Sequence, residues 1–250
     1  MKNILVVIYF LLLSIQGIAK CGSQNLSFWP NGKHINQNSI FVIEGYGLSQ
    51  SIILELGKKN KVFLQSGDQK IKLNIQEIHV GQFHLTQIIL KPEIILTSGH
   101  EYELIIENLD ELEYLVKRYN DAREQVKIKW KLSADIDTIS AIWKKIPIYK
   151  NNEYHELGCG PETNANFEFA AADNSEYLIK TILKNKSTGK ETIYYLSVDD
   201  NKIISVGHDM CSGAFKYTDG EYFEVEFSLY DSSGNLTKWM GKRIEFKRPS

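Results

Sequence analysis

Short apolar runs, each closed by a cluster of turn residues, follow one another along almost the whole chain. Lys70 to Ile78 is the clearest of them, because Ile71, Leu73 and Ile75 alternate with polar residues before the pattern slips to Ile78. Alternation with a period of two is typical of an antiparallel strand that has one buried and one solvated face. The sequence therefore predicts an all-β chain, and the strand–helix alternation of a parallel α/β fold is missing from both halves.

Turn residues separate the runs at regular intervals, which is the pattern of a β-sandwich. The other predicted strands are Ser39 to Glu44, Ile52 to Leu56, Lys61 to Gln65, Phe83 to Leu90, Tyr102 to Ile106, Val126 to Leu132, Tyr177 to Leu183, Thr192 to Val198, Ile203 to Val206, Tyr222 to Leu229 and Lys242 to Phe246. One segment, Glu107 to Asp121, fits a short helix or a long hairpin equally well, because apolar residues recur there at spacings of three and four.

The first nineteen residues have the three-part layout of a secretory signal peptide. A positively charged start precedes an apolar run from Ile4 to Leu13, and the small residues Gly17 and Ala19 favour cleavage after Ala19. The run is about half the ~20 residues that a spanning helix needs, which argues against a membrane anchor. Lys20 before Cys21 departs from the pattern of bacterial lipoproteins. We expect a secreted or periplasmic protein of the cell envelope, with no integral membrane segment after cleavage.

The pattern changes near Ala134 to Asp137, where one alternating strand ends and Trp143 and Pro147 open a new stretch. We therefore predict a signal peptide at 1–19, a first sandwich at 20–133 and a second sandwich at 134–250.

Balanced charge, with 29 Lys and Arg against 31 Asp and Glu, argues against a nucleic-acid partner.

Three cysteines allow three single pairings, and the sequence alone does not choose among them. Cys159 and Cys211 lie in the same half, whereas Cys21 belongs to the N-terminal tail. Shared domain membership favours a Cys159–Cys211 disulfide, which leaves Cys21 free, paired between chains or lipidated.

His208 to Cys211 suggests two kinds of chemistry. A Cys–His nucleophile needs the imidazole within hydrogen-bond reach of the thiol. In a strand, however, His208 and Cys211 point to opposite faces. Copper could use the soft ligands His208 and Met210, with His155 nearby, but the order of the ligands differs from that of cupredoxins. We therefore expect no catalytic residue, no metal and no cofactor.

Several aromatic residues could form a surface for a protein or glycan partner. Adjacent strand residues cannot share a face, so only some of them could contribute to a sugar-stacking platform. The loops that we single out are Gly158 to Pro161, Gly207 to Gly213 and Ser232 to Thr237. The candidate surface consists of Tyr149, Tyr154, Tyr195, His208, Met210 and Trp239.

Two groups of motifs carry a family resemblance. Three motifs lie in the first half, at Trp29 to Gly32, Ile88 to Pro92 and Leu96 to Leu104, and two lie in the second half, at Tyr222 to Phe227 and Asp231 to Asn235. These motifs resemble bacterial immunoglobulin-like domains, including fibronectin type III-like domains, of secreted or envelope proteins. The resemblance implies two consecutive antiparallel sandwiches, adhesion, spacing or ligand presentation, and no catalytic set. Tyr222 would be a tyrosine corner that fixes the start of a late strand.

These observations predict a non-catalytic binding or structural module that presents loops or sheet edges to a partner. An extracellular carbohydrate-binding module is the alternative. A metal-binding envelope protein and an enzyme of unrecognised type are further alternatives.

Overall fold

The computed structural model describes residues 21–120, 122–198 and 202–250. The predicted signal peptide, residues 1–19, lies outside the described residues. The prediction of an all-β chain of antiparallel sandwiches is confirmed. Among the described residues, no helix has both the length and the apolar character needed to cross a membrane.

Between residues 21 and 134, the described residues form ten strands, one α-helix and one 3₁₀ helix. The strands are β1 (Gln24–Trp29), β2 (His34–Asn36), β3 (Phe41–Gly47), β4 (Val62–Ser66), β5 (Gln69–Val80), β6 (Leu85–Pro92), β7 (Glu101–Ile106), β8 (Lys117–Tyr119), β9 (Gln125–Lys127) and β10 (Lys129–Ala134). The α-helix, α1, is Gln50–Glu55, and the 3₁₀ helix is Asp110–Leu115.

The strand order of this half is that of an immunoglobulin-like sandwich. One layer has the order β1-β3-β6-β5, and the other contains β4, β7 and β10, with β2 parallel to β10. The long strand β5 joins the layers, because it pairs first with β4 and then with β6. A register shift between Ile75 and Glu77 lies in its second part. The slip in the alternation near Ile78 is the sequence counterpart of this irregularity.

Tyr102 forms the tyrosine corner of the first sandwich at the start of β7. The buried phenol accepts a hydrogen bond from the Thr97 backbone N at 2.8 Å and donates one to the Thr97 carbonyl at 3.3 Å. This is the geometry of the corner in immunoglobulin-like domains, where the tyrosine bonds to backbone a few residues upstream. The corner expected at Tyr222 is not found, because Tyr222 is exposed beside Lys247. In the second half, buried Tyr217 donates to the Val206 carbonyl instead.

In the second half, the described residues form eight strands in two sheets, which face each other across one core. They are β11 (Ile142–Leu157), β12 (Gly160–Ala172), β13 (Tyr177–Asn185), β14 (Glu191–Leu196), β15 (Ile203–His208), β16 (Tyr222–Asp231), β17 (Leu236–Thr237) and β18 (Ile244–Lys247). One sheet has the order β11-β12-β15, and the other has β14-β13-β16 with β17 and β18 paired to β16. Phe167 from the first sheet contacts Phe227 and Phe246 from the second, with ring centroids 5.0 and 5.6 Å apart.

Two sequence predictions change in detail. Ile52 to Leu56 was expected as a strand, but Gln50–Glu55 is helical and directs Ile52, Ile53 and Leu56 into the first core. Short apolar runs do not distinguish a buried helix from a buried strand, which explains the error. Both alternatives for Glu107 to Asp121 apply in part, because the 3₁₀ helix is followed by β8, the first strand of the β8–β9 hairpin.

Each half has its own hydrophobic core. The first core draws on residues between 26 and 132, with Trp130 and Phe41 in contact at 4.7 Å. The second draws mainly on residues between 141 and 246. Strand β10 continues through Ala134, and the domain boundary between 133 and 134 stays a prediction.

Candidate binding site between the two sandwiches

A third apolar cluster joins the two sandwiches. The first sandwich contributes Trp29, Ile40, Val42 and Ile89, and the second contributes Leu178 and Tyr195, all of them buried. Tyr230 packs at its margin. Because burial of apolar surface is the main favourable term in association, this cluster holds the sandwiches against each other.

Gln87 on β6 adds a polar connection inside this interface. Its side-chain Oε1 accepts a hydrogen bond from the Tyr195 backbone N at 2.7 Å, and its Nε2 donates to the Tyr195 carbonyl at 3.1 Å. Strand β14 is the edge of its sheet, so these backbone groups lack a strand partner on that side. Gln87 thereby supplies the hydrogen bonds that a neighbouring strand would otherwise give.

A charged cluster around Glu77 lies beside the same contact. The Glu77 carboxylate accepts a hydrogen bond from Tyr195 Oη at 3.2 Å, lies 2.8 Å from His79 Nε2, and lies 3.6 Å from Lys180 Nζ. Burial disfavours the charged form of Glu77, but the His79 hydrogen bond and the Lys180 charge outweigh it and lower the pKa. Burial also lowers the pKa of His79, against the opposing effect of Glu77.

A cleft of about 630 Å³ opens next to this interface, between β1 and β3 on one side and β14, β15 and the loop after β15 on the other. Its volume falls within the range of about 300–1,000 Å³ that is typical of ligand sites. Of the described residues that line it, Glu44, Glu162 and Asp209 carry carboxylates, and none is Lys or Arg. Most of the other polar lining groups are amides and hydroxyls, on Asn25, Ser27, Gln87, Asn164, Ser197 and Ser205.

Glu44 is the most deeply placed acid of this cleft. Burial raises its pKa, and hydrogen bonds from Tyr194, Ser27 and Gln87 oppose that effect. The Tyr194 hydroxyl donates to Glu44 Oε2 at 2.6 Å. Burial, and then the Glu44 charge, raise the pKa of Tyr194, so this phenol stays protonated. The pair therefore presents a partly desolvated carboxylate that is held in place by a hydrogen-bond donor.

His208 lies between this cleft and a second cavity of about 640 Å³. Its Nδ1 is 2.8 Å from the Asp209 carbonyl oxygen, so Nδ1 carries a proton and donates it to that oxygen. Strand β15 ends at His208, so His208 to Cys211 is not a continuous strand. The expected alternation of side chains across these four residues does not apply.

The six residues predicted as a surface separate into smaller groups. Tyr195 and His208 line the cleft, whereas Tyr154 and Met210 line the second cavity with His208. Tyr149 stacks on Phe246, and Trp239 packs edge-on against Phe227. The loop Gly207 to Gly213 lines both cavities, and the loop Gly158 to Pro161 lines the second one. In the loop Ser232 to Thr237, the Ser232 carbonyl oxygen accepts a hydrogen bond from the Ile40 backbone N at the interface.

Sequence reasoning missed Glu44 and Gln87, and it considered Tyr194 only as an aromatic neighbour of Tyr195. Each lies within an otherwise ordinary strand, and the three come together only when β3, β6 and β14 pack. A single acid at the end of the apolar run Ile40 to Glu44 is too common a pattern to indicate a site.

The predicted Cys159–Cys211 disulfide is wrong. The bond joins Cys21 to Cys211, across a sequence separation of 190, with the two Cα atoms 5.7 Å apart. Cys21 precedes β1 by only three positions, so its segment lies where the two sandwiches meet rather than on a detached tail. All three sulfur atoms nevertheless lie within 4.8 Å of one another.

A group of carboxylates lies near the segment that links the sandwiches. Oxygen atoms of Asp137, Asp173 and Asp231 lie within 4.8 Å of one another. Burial, with a smaller contribution from Asp173, raises the pKa of Asp231 against hydrogen bonds from Asn235 and Ser233. Oxygen ligands of this kind suit hard cations such as Ca²⁺.

No family model matches this sequence, and no curated protein matches it. Solved structures give distant matches. A pullulanase from Anoxybacillus sp. LM18-11 complexed with maltotriose is 13% identical over 87% of this chain, with a TM-score of 0.25, and this chain covers 25% of it. The tandem Ig repeats of Dlar are 11% identical over 86% of this chain and 94% of theirs, with a TM-score of 0.24. The N-terminal part of the bacterial S-layer protein SbsC is 10% identical over 90% of this chain and 44% of its own, with a TM-score of 0.24. At these TM-scores the matches assign the chain to no family.

Proposed function

We propose that this protein is a non-catalytic binding module of the extracellular space or cell envelope, and that its partner occupies the cleft between the sandwiches. The observation that carries the proposal is the cleft itself, which the packing of two immunoglobulin-like units creates. Interfaces between domains are a preferred location for ligand sites. The strand order of the first sandwich supports a relationship to immunoglobulin-like domains.

Two observations support the proposal that the protein is exported from the cytoplasm. The sequence predicts a signal peptide, and the Cys21–Cys211 disulfide is a bond that persists in oxidising compartments. Because the disulfide joins the start of the first sandwich to the second, it also holds the cleft walls together.

The charge of the cleft favours a cationic group as its occupant. Glu44, Glu162 and Asp209 are not balanced by Lys or Arg among the described lining residues. A Lys or Arg side chain of a protein partner would gain charge-assisted hydrogen bonds there. The module would thus recognise a basic segment of another protein.

An array of peptides that carry single Lys or Arg residues tests this proposal, followed by calorimetry with the tightest binder. We expect Glu44→Gln to weaken binding about tenfold, since it keeps the shape of the side chain but removes the charge. The matched control is Glu111→Gln, which neutralises an exposed acid outside the cleft and should leave the affinity unchanged. Binding should also weaken as salt increases. Equal affinities for the two variants, or no peptide bound, would overturn the basic-segment proposal.

A glycan is the second candidate, favoured by the amide and hydroxyl groups on Asn25, Ser27 and Asn164. Sugar binding through these groups should be insensitive to salt, since it involves no counterion. A glycan array probed with the mature protein, with Asn25→Ala as the cleft variant and Asn174→Ala, at an exposed asparagine outside the cleft, as the control, tests it. Loss of the glycan signal in Asn25→Ala alone supports a sugar site, and an array without binding excludes it.

A further inference from the structure

The open edge of strand β1 gives the occupant of the cleft a defined conformation. We infer that a basic segment of a partner protein binds as an added β-strand along Gln24–Trp29, with one Lys or Arg side chain reaching Glu44, an inference that rests on the function proposed above. Strand addition to a sheet edge is a recurring mode of peptide recognition.

Strand β1 has unpaired backbone groups along its whole length. It lies at the end of its sheet, and among the described strands only β3 pairs with it. No loop of the described chain bonds to the backbone of its six residues either. In an antiparallel edge strand, the N–H and C=O groups of alternate residues point away from the neighbouring strand. Half of these six residues therefore present a donor and an acceptor that an added strand can use.

The cleft runs along this edge and not only over one face of the sheet. Successive side chains of a strand point to opposite faces. Ser27 and Trp29 nevertheless line the cleft together with Phe28, whose side chain belongs to the first core. Both faces of β1 thus border the same space, and the backbone between them faces it. Asn25 and Ser27 are exposed, so this part of the edge is open to a segment that enters from solvent.

The second sandwich closes the other side of this space. Its wall includes Asp209 and Ser212 in the loop after β15. Cys211 lies between them and is bonded to Cys21, three positions before β1. The disulfide therefore limits how far this wall can move from the start of β1. A slot that is already formed costs less to fill than one that must first be ordered.

Charge and geometry favour a basic residue at one position of the added strand. Ser27 is the cross-strand partner of Glu44 and donates a side-chain hydrogen bond to its carboxylate, which holds that carboxylate toward β1. The residue of an added strand opposite Ser27 has its side chain on the same face. Two strand spacings, about 9.6 Å, separate that residue from β3, a gap that a Lys or Arg and the Glu44 side chain can close together. Among the described lining residues, no Lys or Arg competes for this position.

The first experiment measures whether the backbone of the bound segment takes part. The probe is a capped heptapeptide of alternating threonine and valine, with lysine in place of the central valine. Calorimetry with the mature protein compares it with derivatives that each carry one backbone N-methyl group. We expect methylation to weaken binding about tenfold at alternate positions, whose N–H groups bond to β1, and to have little effect at the positions between them. The lysine fixes the register, because a shift by one residue would turn it to the other face.

The possible outcomes separate strand addition from the proposed function. Equal affinities of all methylated derivatives would overturn strand addition and leave the basic-segment proposal standing. Binding of other single-lysine peptides without this one would also overturn strand addition alone. A protein that binds none of these peptides contradicts the proposed function and strand addition together.

The second experiment observes the same contact from the protein, by amide hydrogen exchange measured with NMR. In the free protein, every second amide of Gln24–Trp29 should exchange fast, because no strand protects it. These amides should slow at least about tenfold when the heptapeptide saturates the protein, as new backbone hydrogen bonds form. The matched control is β11, which is also the edge of its sheet but does not line the cleft, and its exchange should not change. Unchanged exchange in β1, or slowing in β15 in its place, would overturn the inference.

Discussion

Gln87 shows how one side chain can complete a sheet that belongs to another sandwich. Its carboxamide bonds to both the N and the carbonyl oxygen of Tyr195, which lies on the edge strand β14. A buried backbone N–H without a partner is costly, so this residue protects an edge that would otherwise be exposed or unsatisfied. The effect arises from tertiary packing, since 108 positions separate the two residues.

Replacing Gln87 by Leu should destabilise the protein. The buried Tyr195 N–H would lose its partner, which costs about 1–3 kcal/mol. Urea unfolding followed by fluorescence measures the loss. The control, Gln76→Leu, changes an exposed glutamine on β5 and should stay within about 0.5 kcal/mol of the wild type. Equal stabilities for the two variants would show that solvent satisfies the Tyr195 backbone.

His79 should make stability depend on pH near neutrality. Burial lowers its pKa in the folded state, with Glu77, Lys180 and Tyr195 facing the ring. A base with a lowered folded pKa contributes stability above its unfolded value of about 6.5, and this contribution is lost as the pH falls below that value. The pKa of Glu77 is lowered as well, so its contribution is lost only at more acidic pH.

We therefore expect wild-type stability to decrease more between pH 7.5 and pH 5.5 than that of His79→Gln. Urea unfolding of both proteins at the two pH values gives the comparison, in which the other histidines cancel. Identical pH dependence in the two proteins would contradict a lowered pKa of His79.

Helix α1 illustrates, at the scale of an element, how close packing requires glycine. The helix lies against β3 at Gly45, where an added Cβ would be 2.6 Å from the Ser49 carbonyl oxygen and 2.7 Å from Ile53 Cγ1. These atoms belong to the start and middle of the α1 segment and are themselves buried. The helix can therefore cover this end of the first core only because position 45 has no side chain.

Substitution of Gly45 by Ala should destabilise the first sandwich by about 1–3 kcal/mol, the usual cost of overpacking. Thermal unfolding measures this. Gly22→Ala is the matched control, because a Cβ there would meet only Tyr46, at 4.0 Å. If both variants melt at the same temperature, α1 can move away from β3 at little cost.

At the scale of the whole molecule, the shared apolar cluster should make the two sandwiches unfold together. Leu178 is 2% exposed in that cluster, whereas Leu183 is 3% exposed in the second core. The two leucines thus have similar burial on the same strand but serve different contacts. Comparing them separates coupling between sandwiches from the stability of one sandwich.

We expect the wild type to unfold in one transition by urea, with fluorescence and circular dichroism coincident. Leu178→Ala and Leu183→Ala should each cost about 2–5 kcal/mol, the range for buried leucines. Only Leu178→Ala should separate the unfolding into two transitions, because it weakens the interface. Two transitions in the wild type would contradict the coupling.

The Lys70 to Ile78 segment shows which structural features a local sequence pattern predicts and which it does not. Its alternation predicted a strand, and even its slip matched the irregularity in β5. The pattern could not show that β5 belongs to two sheets, since pairing depends on strands from elsewhere. In the same way, the long β11–β12 hairpin was missed because β11 is an exposed edge strand, whose polar side chains hide the alternation.

By itself, the sequence determined that the chain folds into antiparallel strands, because side-chain alternation and turn chemistry act over a few neighbouring residues. Only the tertiary structure decided which cysteines bond, where Glu44 and Tyr194 meet, and that a tyrosine corner forms at Tyr102 and none forms at Tyr222. These outcomes depend on how two sandwiches pack against each other. Groups as far apart as Cys21 and Cys211 meet only through that packing, and no local pattern records it.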